Sequence, residues 1–117
     1  MHTCKDFSFP KKERLLKRKD FVNVNQSGRR IKSKNFLIIL KKNTFSFSRL
    51  GITVSKKIGK AVKRNRIKRL VREFFRLNKS KLPKGYDISI IARSDVSKYK
   101  LQDIENELGE VLFGFSE

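Results

Sequence analysis

Five consecutive apolar residues, Phe36-Leu37-Ile38-Ile39-Leu40, place the tightest constraint on how this chain folds. The run is rich in β-formers and has no polar alternation. It reads as a strand buried on both faces of its sheet. Leu50, Ile52 and Val54 alternate with Gly51, Thr53 and Ser55, which predicts a second strand with one buried face. Tyr86 to Ala92, carrying Ile88, Ile90 and Ile91, predicts the last strand, and the basic stretch Arg29 to Lys34 a short edge strand. Lys41 to Ser48, interrupted by Phe45 and Phe47, reads as a hairpin connection between strands.

Helical periodicity fills the rest. Glu13 to Gln26 carries Leu15, Leu16, Phe21, Val22 and Val24 at spacings of one or two short helical turns, and Ser27-Gly28 stops it. Gly59 opens the longest helix, over 60–78, with Ile67, Leu70, Val71, Phe74 and Asn78 on one arc. Leu82-Pro83-Lys84-Gly85 is a loop. Residues 97–113 form an amphipathic helix with Leu101, Ile104, Leu108, Val111 and Leu112 facing in. There is no repeat and no linker. The chain of 117 residues reads as a flexible tail, 1–12, and one α+β domain, 13–117.

Charge narrows the function. Thirty Lys and Arg against eleven Asp and Glu give a net charge of +19. Self-repulsion of that size opposes a compact fold, so it points to a polyanionic partner. The distribution is uneven. Residues 1–94 hold 28 basic and five acidic groups, and residues 95–117 hold two basic and six acidic ones. A face for nucleic acid and a segment turned away from it would divide the charge this way. No stretch approaches the ~20 apolar residues of a membrane span, and no apolar secretory core follows the N-terminus, so the expected location is the cytoplasm. Cys4 and His2 lack the further ligands a metal site needs and read as part of the tail.

The segment from Ser55 to Arg72 concentrates the signal. Lys56, Lys57, Lys60, Lys63, Arg64, Arg66, Lys68, Arg69 and Arg72 follow one another with no acid between them. With Ile67 at zero angle, Arg64, Lys68, Arg72, Asn65, Arg76 and Arg69 lie between about 60° and 200°, a ridge opposite the apolar arc. Arg66 lies to one side. Arginine grips phosphate through paired N–H bonds and stacks on bases. Like charges four residues apart oppose the helix, and only Glu73, within reach of Arg69 and Arg76, relieves them. Contact with nucleic acid explains the ridge better than solvation does. Phe21 and Phe75 are candidates for stacking on bases, against the ordinary reading of core packing.

Catalytic chemistry is missing. Acid–base cleavage of RNA uses histidines, and the chain has one, His2. Metal-assisted cleavage needs clustered carboxylates, which do not flank the ridge. Gly51 and Gly59 do not make a nucleotide-binding loop.

The string from Arg49 to Arg76, RLGITVSKKIGKAVKRNRIKRLVREFFR, resembles the signature of the bacterial ribonuclease P protein family. The Asp20-Phe21 helix, Tyr86-Asp87-Ile88 and Ile91-Ala92-Arg93 extend the likeness over about residues 13–112. The resemblance implies the order α-β-β-β-α-β-α, a fold similar to the second domain of ribosomal protein S5, and a left-handed βαβ crossover through the long helix. It implies a ribonucleoprotein that removes the 5′ leader of precursor tRNA, with the RNA subunit as catalyst using Mg²⁺ and no cofactor held by the protein alone.

The resemblance also implies roles for particular residues. Arg64, Asn65 and Arg66 match the family's Arg-Asn-Arg motif and, with Lys68, Arg69 and Arg72, would meet the catalytic RNA; Lys60 of the basic cluster is counted with this RNA-binding set on its charge and position. Lys56 and Lys57 match a Ser-Lys-Lys turn bordering that surface. Phe21 matches an aromatic lining a cleft for the single-stranded leader, to which Phe36 and Ile39 are added from the first long strand. Some relatives carry a second aromatic where this chain has Asn25 and a tyrosine where it has Ile39, so leader stacking is expected to be weaker here or shared with Phe36. The alternative is a structural RNA-binding protein of ribosomal type, which shares the composition. A duplex-DNA binder and an autonomous nuclease rank lower.

Overall fold

The structure is a computed structural model and describes residues 11–14, 17–113 and 115. His2, Cys4, Leu15, Leu16 and most of the expected tail lie outside the described residues. A 3-10 turn, Lys11–Glu13, precedes α1 (Arg18–Ser27), β1 (Arg29–Lys32), β2 (Phe36–Lys42) and β3 (Arg49–Thr53). Then come α2 (Ala61–Leu77), β4 (Tyr86–Ala92) and α3 (Leu101–Leu112). The order is the expected α-β-β-β-α-β-α.

The four strands form one sheet in the order β1-β2-β4-β3. β2 runs antiparallel to β1 and β4, and β3 runs parallel to β4. This corrects the hairpin expected between Lys41 and Ser48, because β4 lies between the strands it joins. A parallel pair needs a long crossover, and α2 supplies it between β3 and β4. Asn43 holds the displaced connection across the end of β4. Its Nδ2 donates to Asp87 Oδ1 at 2.9 Å and to the Phe47 carbonyl at 3.2 Å, while its Oδ1 accepts from the Phe45 amide at 2.8 Å. Gly85, with φ of 78°, makes the turn into β4 in the left-handed region that a side chain opposes.

The apolar run of β2 is covered on both faces, as its sequence predicts, with only Leu37 left partly buried. Phe36, Ile38 and Leu40 join Ile88, Ile90, Ile67, Val71, Phe74, Ile104, Leu108 and Leu112 in the main core under α2 and α3. Ile39 faces the other way and packs on Val24 of α1, with Phe21, Leu37 and Ile91 around the pair. Gly28 lets α1 close on the sheet, since a Cβ there would lie 2.6 Å from Ile39 Cγ2 and from the Val24 carbonyl. α1 is thus one ten-residue helix, Arg18–Ser27, rather than one or two short helical turns over 13–26.

α3 starts at Leu101 rather than at residue 97. Asp95 Oδ1 takes the Ser97 amide at 2.9 Å, and the Tyr99 amide reaches the Val96 carbonyl, so short-range bonds replace the first helical turn. Glu107 then ties α3 to the β1–β2 turn. Its carboxylate accepts from Ser33 Oγ at 2.5 Å, the Asn35 amide at 2.7 Å, Asn35 Nδ2 at 3.0 Å and Tyr99 OH at 3.4 Å. Burial pushes its pKa up, but the hydrogen bonds from Ser33, Asn35 and Tyr99 outweigh that and hold it below the ordinary value.

A depressed carboxylate stabilises the fold above its unfolded pKa and stops doing so as the pH falls through the folded value. Glu107→Ala is therefore expected to lower stability by about 2 kcal/mol at pH 7, the scale of a lost charged hydrogen-bond set. Urea unfolding at pH 7 and pH 3 checks this, because the deficit should narrow at the lower pH.

Candidate nucleic-acid interface

Two surfaces carry the chemistry the sequence points to. The first is the outer face of α2. Its apolar arc, Ile67, Val71, Phe74 and Phe75, is buried, which turns the opposite ridge to solvent. Asn65, Arg66, Arg69 and Arg72 are exposed, and Arg64 and Lys68 partly so. The first turn has no acid, and Lys60, Lys63 and Arg64 crowd the positive end of the helix dipole. That placement is unfavourable in the free protein and favourable to an incoming anion.

The cations divide into anchored and unpaired groups. Lys63 pairs with Asp95 at 3.2 Å, and Arg64 Nε donates to the Gly59 carbonyl at 3.2 Å. Arg66 Nε donates to the Ser97 carbonyl, which docks the loop before α3 onto α2. Glu73 pairs with Arg76 at 2.5 Å and leaves Arg69 alone, so it relieves only one of the two arginines within reach in the sequence. Lys56, Lys57, Lys60, Lys68, Arg69 and Arg72 have no side-chain partner among the described residues. Val62, 81% exposed, lies on the outer side of the same helix and offers it an apolar contact.

The second surface is a groove only in this sense: it is the strip of the sheet's α1-facing side that α1 leaves partly buried. Strand register sets out its floor row by row. Arg30, Ile39, Ser89 and Gly51 form one row, and Val24 seals its Ile39 segment. The next row, Lys32, Leu37, Ile91 and Thr53, is more open. Leu37 and Ile91 are only partly buried, and Phe21 packs against the same cluster. Lys32, Thr53 and Arg93 are exposed at its margins. Four strands at about 4.8 Å spacing make this row ~14 Å across. At its β3 end the chain continues into Lys56 and Lys57 and then into α2, so chain order links the two surfaces.

This geometry corrects part of the sequence-based site. Phe36 is 0% exposed in the main core, and Ile39 is 0% exposed beneath α1. Neither presents a surface to a ligand, because the β2 alternation turns Phe36 inward and α1 covers Ile39. Phe75, at 4% exposure, is core as well. Phe21 does border the groove. Leu37, Ile91, Lys32, Thr53 and Arg93 lie on the same strip of the sheet, and the sequence reading assigned none of them to it. Antiparallel pairing of β2 with β4 brings Leu37 opposite Ile91, and no local pattern announces that register. Among the described residues no three His, Cys, Asp or Glu side chains gather as metal ligands, and no helix is long and apolar enough to cross a membrane.

The fold and these surfaces define a small, strongly basic α+β protein with an exposed cationic ridge on α2. The chain belongs to the ribonuclease P protein family, whose model, described as Ribonuclease P, matches residues 9–115. It is 49% identical over 108 residues to the ribonuclease P protein component of Syntrophus aciditrophicus, covering 92% of this chain and 91% of the relative. The solved RNase P protein of Thermotoga maritima superposes with a TM-score of 0.81 at 38% identity, covering 90% of this chain and 99% of that one. The Staphylococcus aureus RNase P protein gives a TM-score of 0.77 at 37% identity, covering 85% and 91%. Membership makes the chain the protein component of an endoribonuclease complex of tRNA processing.

Proposed function

We propose that the chain is the RNA-binding subunit of ribonuclease P, acting in the cytoplasm, and that it contributes no catalytic group. The catalytic RNA, using Mg²⁺, cleaves precursor tRNA to give the mature 5′ end. The ridge of α2 (Arg64, Asn65, Arg66, Lys68, Arg69 and Arg72), with Lys56, Lys57 and Lys60, binds that RNA. Neutralising phosphates there releases counterions and fixes the docking register. It also lowers the Mg²⁺ needed where RNA meets RNA. The groove takes the single-stranded leader, with bases against Phe21, Leu37 and Ile91 and phosphates near Lys32, Arg93, Lys56 and Lys57.

The observation that carries this reading is the set of unpaired cations beside a groove whose floor is apolar and whose margins are basic. A phosphate backbone with unstacked bases has the same two-part chemistry. A leader held in the groove also separates precursor from product, because only the precursor has one.

The test is cleavage of a leader-bearing precursor tRNA at low Mg²⁺ by a bacterial ribonuclease P RNA, with the protein, without it, and with the protein alone. Cleavage at the mature 5′ end by the combination only is expected. RNA binding without restored cleavage would favour a structural role of ribosomal type. Phe21→Ala is expected to reduce the preference for precursor over mature tRNA by about fivefold or more, the lower end of a base-stacking contact. Equilibrium binding of the two tRNAs to the reconstituted enzyme measures it.

A further inference from the structure

We propose that Arg49 is a positioning residue that fixes the N-terminal half of α1 over the sheet through Asp20, and so sets the width of the groove; the functional part of this inference rests on the leader reading above. Arg49 and Asp87 are cross-strand partners on β3 and β4, on the α1 side of the sheet. The guanidinium holds Asp87 with both arms, Nε to Oδ1 at 2.8 Å and Nη2 to Oδ2 at 2.6 Å. Asp87 is itself buried and takes a further bond from Asn43 Nδ2 at 2.9 Å. The arginine is therefore rigidly mounted on the sheet. Its remaining arm, Nη1, points to Asp20 Oδ2 of α1 at 3.4 Å.

The two ends of α1 are held differently. At the C-terminal end Lys41 Nζ donates to Asn23 Oδ1 and Ser27 Oγ, both at 2.9 Å, and Arg30 Nη2 reaches the Asn25 carbonyl at 2.7 Å. Gly28 brings the same end into close contact with Ile39. At the N-terminal end Lys17 supplies no side-chain cap. Asp20–Arg49 is the ion pair that joins α1 to the sheet among the described residues. A ten-residue helix has little stability of its own, so its position follows from such ties. Phe21 follows Asp20 directly. A helix pinned at its C-terminal end and clamped by Asp20 at the other holds Phe21 at a set height above Leu37 and Ile91.

Arginine suits this task because it bridges two carboxylates with separate arms. A lysine ammonium is a single point and cannot reproduce the fork. Asp20 is also a carboxylate at the edge of a surface meant for RNA, and the arginine compensates its charge there.

The variants are Asp20→Ala, Asp20→Glu and Arg49→Lys, the last keeping the first-turn acid and its dipole contribution. Hydrogen exchange of the free protein reads the clamp. Amides of residues 21–24 are expected to exchange faster in Asp20→Ala and Arg49→Lys, while those near Ser27 and Gly28 do not change. Binding of precursor and mature tRNA to the reconstituted enzyme reads the consequence. In both variants the preference for precursor should fall about three- to tenfold, the scale of a partly buried charge-assisted pair. Affinity for mature tRNA should hold or rise in Asp20→Ala, and Asp20→Glu should restore the preference. Unchanged exchange and unchanged preference in a background where wild type discriminates would overturn the proposal. If wild type itself shows no preference, the leader reading fails, and the exchange measurement alone then decides the clamp.

Discussion

Replacing Arg69 and Arg72 together by alanine is expected to weaken binding of the catalytic RNA roughly 15- to 30-fold at 0.15 M salt, with the fold intact. Both side chains are exposed and lack partners among the described residues, so truncation removes no internal bond. Each phosphate contact contributes about 0.7 to 0.9 to the slope of log affinity against log salt. If the ridge engages ~6 phosphates, the wild-type slope is about −4 to −5, and losing two contacts brings it near −3. The salt series is the sharper measurement, because a variant that merely disturbed the fold would lower affinity without moving the slope in proportion. Arg66→Ala is the informative contrast. Arg66 is anchored to the Ser97 carbonyl, so its loss should also loosen the loop before α3. A double variant with the wild-type slope would place the RNA on another face.

The ridge was legible in the sequence because its information is local. Helical spacing and the identity of each side chain settle which residues share a face of α2, and the apolar arc settles which face is outside. The covered strand β2 and the element order were legible for the same reason. The strand order was not. Nothing between Lys41 and Ser48 shows that β4 inserts between β2 and β3, since that depends on a pairing made some fifty residues later. The start of α3 was misread because Asp95 gives its side chain to the Ser97 amide, a local bond that competes with helix. The groove was the hardest part. Its floor residues Leu37 and Ile91 meet only through the β2–β4 register, and a shift of one position in a strand exchanges the two faces. Phe36 is the larger and more ligand-like side chain, but it is Leu37 that borders the groove.

That one-position difference leads to the other large expected effect. Phe36→Ala should destabilise the protein by about 3–5 kcal/mol, the cost of removing a fully buried aromatic ring and leaving a cavity. A domain of this kind has only about 5–15 kcal/mol in total, so the variant should be close to unfolding at 37 °C. Phe36 packs into the main core with Ile38, Leu40, Ile88 and Ile90, where the helices seal the sheet and little can collapse into the space. Leu37→Ala, one residue on, should cost less because its side chain is only partly buried, and should instead lower the preference for precursor over mature tRNA. Urea unfolding followed by far-ultraviolet circular dichroism separates the two, and it suits a chain without tryptophan. If Phe36→Ala kept wild-type stability and lost leader preference while Leu37→Ala did neither, the faces of β2 would be reversed. The groove would then lie on the other side of the sheet, and the placement of α1 over Ile39 would be wrong with it.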